Sequence, residues 1–216
     1  MQNMPVRNIN NIRSRKNVGY FPSTKNFRNI SFESLLEEDY IYLIEYEKSV
    51  SSYLEQPVAI EYYYNSRKYK YTPDFKVNRN SKIQLIEIKP KNILLKLLEK
   101  ENEKRKFNAA YEYCKRMNFE FKIITDEDIR SGNVLKNIKY LYFYANIKVP
   151  SYIKLLINNV LINNSMNIET LDTNLKMLDN TYNNFKPFIY SLIYSHFLSI
   201  NINNPISHSS MISINS

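Results

Sequence analysis

Three β-rich runs follow one another: "VAIEYYY" (58–64), residues 69–77 and residues 83–89, separated by the polar stretches "NSRK" and "NRNSK". Aromatic and β-branched side chains suit a pleated surface, and Asn, Ser and charged residues suit the turns between. The pattern predicts a meander of three antiparallel strands. Helical spacing flanks it on both sides. Before it, Leu36, Tyr40 and Leu43 recur at i, i+4 and i+7 within 31–46, with Glu37, Ile41 and Ile44 on the adjoining line, and Ser31 or Ser34 is placed to cap the start. After it, residues 92–117 carry Leu94, Leu95 and Leu98, then Phe107, Ala110, Tyr111 and Cys114 at helical intervals. "FKIIT" (121–125) reads as a short strand and 133–145 as a further helix, while 50–57 reads as a linker. Strands interleaved with helices in this way predict an α/β fold.

At Pro150 the composition changes to Asn-rich and nearly uncharged, with apolar positions at helical spacing: Ile153, Leu156, Ile157 and Val160, then Leu171, Leu175 and Leu178, then Ile189, Leu192 and Ile193. This predicts a small, mainly helical second domain over 148–216. His196 extends the last stripe and is expected to be a buried structural histidine. With one cysteine, Cys114, and two histidines, a zinc site of the usual type is not expected, nor is an internal disulfide. No apolar run reaches the roughly 20 residues of a membrane span, and a cytoplasmic location is expected.

The net charge of +9 is concentrated at one end. Residues 1–30 contain Arg7, Arg13, Arg15, Lys16, Lys25 and Arg28 and no acid. This segment reads as a basic arm, either solvated or laid along a phosphate backbone, where each neutralised phosphate releases counterions. The first domain is then expected over 31–147.

Side chains alternate across a strand, so Ile83, Leu85, Glu87 and Lys89 share one face. Glu87 and Lys89 therefore continue an apolar line at the strand's end, where charge is costly unless paired or metal-bound. If the neighbouring strands pair as a meander, Asp74 is brought beside Glu87. Two readings stand. Glu87 and Lys89 form an ion pair with Asp74 as a rim charge and Glu37 as the capping partner of Ser34. Alternatively, the carboxylates hold a hard cation such as Mg²⁺, which takes oxygen ligands, and Lys89 orients or activates a water beside a phosphodiester.

The order of elements adds a resemblance. A helix carrying Glu37, two strands, Asp74, a turn, Glu87-Ile88-Lys89 and a helix is similar to the core of PD-(D/E)xK nucleases, the restriction-endonuclease-like fold. More closely, "SLLEEDYIYLIEYEKSV" (34–50), "EQP" (55–57), "YTPDF" (71–75), "IEIKP" (86–90), "FNAAYEYCKRMNFEFKIITDEDI" (107–129) and "NIKYLYFY" (137–144) resemble the TnsA-type endonuclease subunit of heteromeric transposases. The end of the chain, from "FIYSLIYSHFLSINI" to "SMISI", faintly resembles that family's small winged-helix domain.

The resemblance implies that Asp74, Glu87 and Glu37 hold Mg²⁺, for which Mn²⁺ substitutes, and that Lys89 is the catalytic lysine. Gln56 is implied to position structure or DNA. The implied activity is hydrolysis of the 5′ strands at transposon ends, with a DDE-type transposase cutting the 3′ strands and an ATPase regulator contacting the complex. The near-neutral C-terminal segment points to a domain that binds protein partners. Two alternatives carry the same fold: a stand-alone phage, restriction or repair nuclease, and a non-catalytic DNA-binding scaffold.

Overall fold

The computed structural model describes residues 18–215. Arg7, Arg13, Arg15 and Lys16 of the expected arm lie outside them. The chain divides into two compact units at Ser131/Gly132.

The first unit opens with a hairpin of β1 (Gly19–Ser23) and β2 (Arg28–Phe32), followed by α1 (Leu35–Tyr46) and β3 (Val50–Glu55). A second hairpin pairs β4 (Ile60–Tyr64) with β5 (Arg67–Tyr71), and a third pairs β6 (Phe75–Arg79) with β7 (Lys82–Ile88). Helices α2 (Lys91–Leu98) and α3 (Glu101–Met117) then cross over to β8 (Glu120–Ile124), and α4 (Asp126–Ile129) closes the unit.

The central sheet has the order β3-β6-β7-β8. Its first three strands are antiparallel, and β8 joins β7 in parallel, as a helical crossover requires. The result is a mixed α/β domain consistent with a restriction-endonuclease-like core. The strand β7 is buried on both faces, from Gln84 to Ile88.

With only 2 glycines in the chain, the tight turns use other residues. Asn65-Ser66 and Asn80-Ser81 adopt positive φ at both positions (47° and 60°, 49° and 62°). Two consecutive left-handed residues match the twist of the strands they join, and Asn tolerates that region best among non-glycine residues.

Three expectations change here. The 69–77 run is not one strand: it breaks at Thr72–Asp74, where Pro73 has no N–H to give a ladder. The β4–β5 hairpin therefore leaves the sheet and packs on α3, with Ile60, Tyr62, Tyr71, Leu85, Ala110 and Cys114 in one cluster. The linker expected over 50–57 is instead mostly β3, which takes the sheet position beside β6.

The unit boundaries also differ from the sequence reading, at both ends. Residues 19–32, expected within or beside the arm, are a hairpin. It is anchored by Ser23, Thr24 and Lys25 to the Glu45 carboxylate on α1. The helix expected to end the first domain, α5 (Val134–Tyr142), packs in the second unit. There the Asn137 side chain donates to the Ile202 and Asn204 carbonyls, and Tyr140 meets Tyr190 edge-on.

The second unit continues with α6 (Ser151–Leu161), β9 (Met166–Asn167), α7 (Ile168–Leu178), α8 (Lys186–Tyr194), β10 (Leu198–Ile200) and β11 (Met211–Ile214). The three strands form an antiparallel sheet in the order β10-β11-β9. Ile153, Ile157, Leu171, Leu175, Phe185, Ile189 and Ile193 are fully buried between the helices. His196 is not on that buried stripe. It follows α8 in the left-handed region (φ 58°) and is half-buried. No described helix is long and apolar enough to cross a membrane.

Candidate active site

Asp74 stands at the break before β6, and the break is what frees it from the ladder. Its carbonyl accepts the Gln56 N–H at 2.8 Å, and its Oδ2 accepts the Ile88 N–H at 2.6 Å. The β6–β7 register pairs Phe75 with Ile86, so one residue further on Asp74 faces Glu87 across the strands. Glu87 is 3% exposed. Its Oε2 accepts the Tyr71 hydroxyl at 2.7 Å, and its Oε1 lies 2.9 Å from the Lys89 Nζ. That same Nζ donates to the Ile88 carbonyl at 2.9 Å and lies 3.7 Å from Asp74 Oδ2. Lys89 is itself fixed by its N–H, which extends the β7–β8 pairing to the Ile124 carbonyl. Two carboxylates and one main-chain carbonyl thus converge on a single ammonium.

Glu37 lies in the first turn of α1. Ser34 caps that helix through the Glu37 N–H, and Glu37 answers with both oxygens: Oε1 accepts the Ser34 hydroxyl at 2.9 Å and Oε2 the Glu33 N–H at 2.8 Å. It is therefore a capping residue. It also lies close enough to Asp74 and Lys89 to act on both electrostatically. Gln56 sits in the left-handed region (φ 43°), and its side-chain amide donates to Glu33 at 3.0 Å. It ties the segment after β3 both to the start of α1 and to Asp74.

The electrostatics follow from crowding. Burial, and then the neighbouring Glu87 carboxylate, push the Asp74 carboxyl up to about 8, against the pull of Lys89 and the Ile88 N–H. Burial raises Glu37 as well, with Glu33 adding to the rise. Burial also raises the Tyr71 hydroxyl, helped by Glu87. Burial lowers Lys89, but Asp74, Glu87 and Glu37 outweigh it, and the ammonium is stabilised. A buried group of carboxylates with disfavoured ionisation attracts cations.

Among the described residues, no three His, Cys, Asp or Glu side chains stand close enough together to hold a metal ion by themselves. The oxygens available here come from two carboxylates and a carbonyl. This donor set suits a hard divalent cation that keeps part of its water shell.

Of the expected DNA-binding residues, Lys25 and Arg28 are taken up by the fold. The Lys25 Nζ donates to the carbonyls of Ile44, Glu47 and Val50. Arg28 makes a two-pronged pair with buried Glu55. Tyr71 and Lys106 are two residues beside Glu87 that sequence reasoning did not single out. Lys106 had a readable signal: it precedes Ala110 and Cys114 by successive fours, so it starts the buried line of α3.

A mixed α/β domain with a carboxylate–lysine cluster at the end of a central strand is consistent with a restriction-endonuclease-like core. The comparison with known families agrees: residues 47–126 match the model described as "TnsA-like endonuclease N terminal". The matched segment is the one that holds Asp74, Glu87 and Lys89. No curated protein matches the chain.

Proposed function

We propose that this protein is the DNA endonuclease subunit of a heteromeric transposase, hydrolysing the 5′ strands at transposon ends. The observation that carries the reading is the convergence of Asp74, Glu87 and the Ile88 carbonyl on the Lys89 ammonium, inside the segment that matches TnsA-like endonucleases.

Asp74 and Glu87 are the residues that would hold Mg²⁺ or Mn²⁺, with the Glu37 carboxylate adding negative charge from α1. When bound, the ion polarises the scissile phosphate and lowers the pKa of its water. The protein's own groups do the rest. The Ile88 N–H fixes the Asp74 carboxylate. Tyr71 fixes Glu87. Lys89 orients the attacking water and balances charge that develops on the phosphate. Gln56 positions Asp74 through the main chain.

We read the second unit as a small winged-helix-like domain, supported by its order of two helices, a strand, two helices and two strands, the three strands forming one antiparallel sheet. The one lysine of α8, Lys186, is paired with Glu169 at 2.6 Å, which favours a protein partner over DNA for this face. The partners are a DDE-type transposase and an ATPase regulator, in the cytoplasm.

A nicking assay on supercoiled plasmid tests the reading. It is run with Mg²⁺ and with Mn²⁺, for wild type and Lys89→Ala, alone and with a transposase encoded beside the gene. Metal-dependent nicking that needs Lys89 supports the nuclease, and its appearance only with the partner supports the transposase subunit. Absence of nicking under every condition points to the scaffold.

A further inference from the structure

Lys106 belongs to α3, outside every part of the sequence that pointed to the site, yet its ammonium lies 3.9 Å from Glu87 Oε1. It is 16% exposed and held from several sides. Glu103, one turn earlier, pairs with it at 2.5 Å. The faces of Tyr71 and Phe107 lie 5.3 and 4.6 Å from it. An ammonium against two aromatic faces and a carboxylate gives up much of its water and stays in one place. Tyr71 serves both partners, its ring facing Lys106 and its hydroxyl donating to Glu87. Glu87 Oε1 therefore stands between two fixed ammoniums, Lys89 and Lys106.

We propose that Lys106 is a built-in cation that occupies the far side of Glu87 and restricts the centre to one divalent ion. The inference rests on the metal-dependent nuclease reading above and specifies its stoichiometry. Charge balance carries it. Glu37, Asp74, Glu87 and Glu103 face Lys89 and Lys106, a formal excess of two negative charges. One divalent ion neutralises that excess. A second, at the roughly 3.5–4 Å spacing of two-metal sites, stands beside Lys106 and leaves the group two charges positive. With Lys106 neutral, the excess is three, and a second ion becomes tolerable, with Glu103 released as a ligand for it. Lys106 is thus a positioning residue that sets how many ions the site accepts.

Mn²⁺ binding to the full chain, counted by equilibrium dialysis and followed by electron paramagnetic resonance, tests this without reference to cleavage. Wild type is expected to bind one Mn²⁺. Lys106→Met, which keeps the apolar stem between the rings, is expected to bind two, with the spectrum of a coupled pair. Lys106→Arg is expected to keep one. Two ions in wild type overturn the proposal, and so does a single ion in a folded Lys106→Met. If that variant fails to fold, Lys106→Gln takes its place and wild type still decides. No binding by wild type overturns the metal-centre reading itself, and this proposal with it.

Discussion

Glu45 and Glu87 are both 3% exposed, both in the first unit, and they are held in opposite ways. Glu45 accepts five hydrogen bonds from neutral donors: the Ser23 hydroxyl, the Thr24 N–H and hydroxyl, the Lys25 N–H and the Tyr53 hydroxyl, at 2.5–3.0 Å. It is sealed into the joint between the first hairpin, α1 and β3. Glu87 has one neutral donor, Tyr71, and is otherwise faced by two ammoniums and by Asp74. The Lys89 and Asp74 side chains remain 27% and 20% exposed, so that cluster opens to solvent on one side. Burial alone therefore does not mark a functional carboxylate here. A carboxylate satisfied by fixed neutral donors is a structural tie. One satisfied by cations, beside a second carboxylate that resists ionising, is the arrangement that the proposed metal site requires.

The largest effect expected from this distinction is on activity. Asp74→Ala should lower strand cleavage on the order of 10³-fold, because it removes a proposed ligand of the ion that stabilises charge in the transition state. Its thermal midpoint should change little, since relief of a crowded carboxylate offsets the loss of the Ile88 N–H partner. A variant that still cuts, in the plasmid assay, would remove Asp74 from the mechanism.

Next comes stability at the other carboxylate. Glu45→Ala strands several buried donors at once and should cost roughly 3 kcal/mol of unfolding free energy in urea. Glu87→Gln should cost less, because the amide still accepts from Tyr71 and Lys89 keeps Asp74. Equal losses at the two positions would erase the comparison.

The third effect is a pH dependence that only one of the two clusters predicts. Asp74 has a folded-state pKa raised to about 8, well above the carboxylate range of an unfolded chain. Such a group favours the fold most when protonated, so its contribution is complete below the unfolded value and is lost as pH rises through the folded one. Glu37 is raised too and acts in the same direction. With a chelator present, the urea midpoint should fall as pH is raised from about 4 towards 8, and Asp74→Asn should flatten the curve. Saturating Mg²⁺ should reverse the decline. A midpoint that climbs through this window would contradict the crowding of the site.

The features legible in sequence are those with a period. Ser34 and Glu37 read as a cap because their spacing of three is a helix-start signature, and they form one. Glu87 and Lys89 read as same-face neighbours because strands alternate, and they pair. What failed were elements whose cause lies elsewhere in the chain. In "VSSYLE" the two serines are exposed, so β3 looks like a linker until β6 supplies its ladder. The stretch "GYFPSTKNFRNISF" looks like a basic arm because its cations dominate. Its period-two pattern of Phe21 with Ser23 and Ile30 with Phe32 is short, and its ties to Glu45 and Glu55 come from residues more than a dozen positions away. Lys106 was obscured in the same way, by the charged run "EKENEKRK" around it.

The comparison extends from carboxylates to cations, with the smallest expected effect. By sequence Arg28 belongs to a basic arm, either solvated or laid along a phosphate backbone, yet it is spent on buried Glu55, and a cation committed to a carboxylate inside the fold has little charge to offer a phosphate. Arg28→Met should therefore cost about 1–2 kcal/mol of stability, the pair being partly exposed. It should leave the salt dependence of DNA binding unchanged. Removal of residues 1–17 should do the reverse. It takes away Arg7, Arg13, Arg15 and Lys16, and each phosphate no longer neutralised makes the log–log slope of affinity against salt shallower by about 0.9. Measured by fluorescence anisotropy on one duplex, the two changes separate structural cations from exchangeable ones. A shallower slope for Arg28→Met would show that its pair with Glu55 opens on DNA, and would place the first hairpin, rather than the segment before it, against the phosphates.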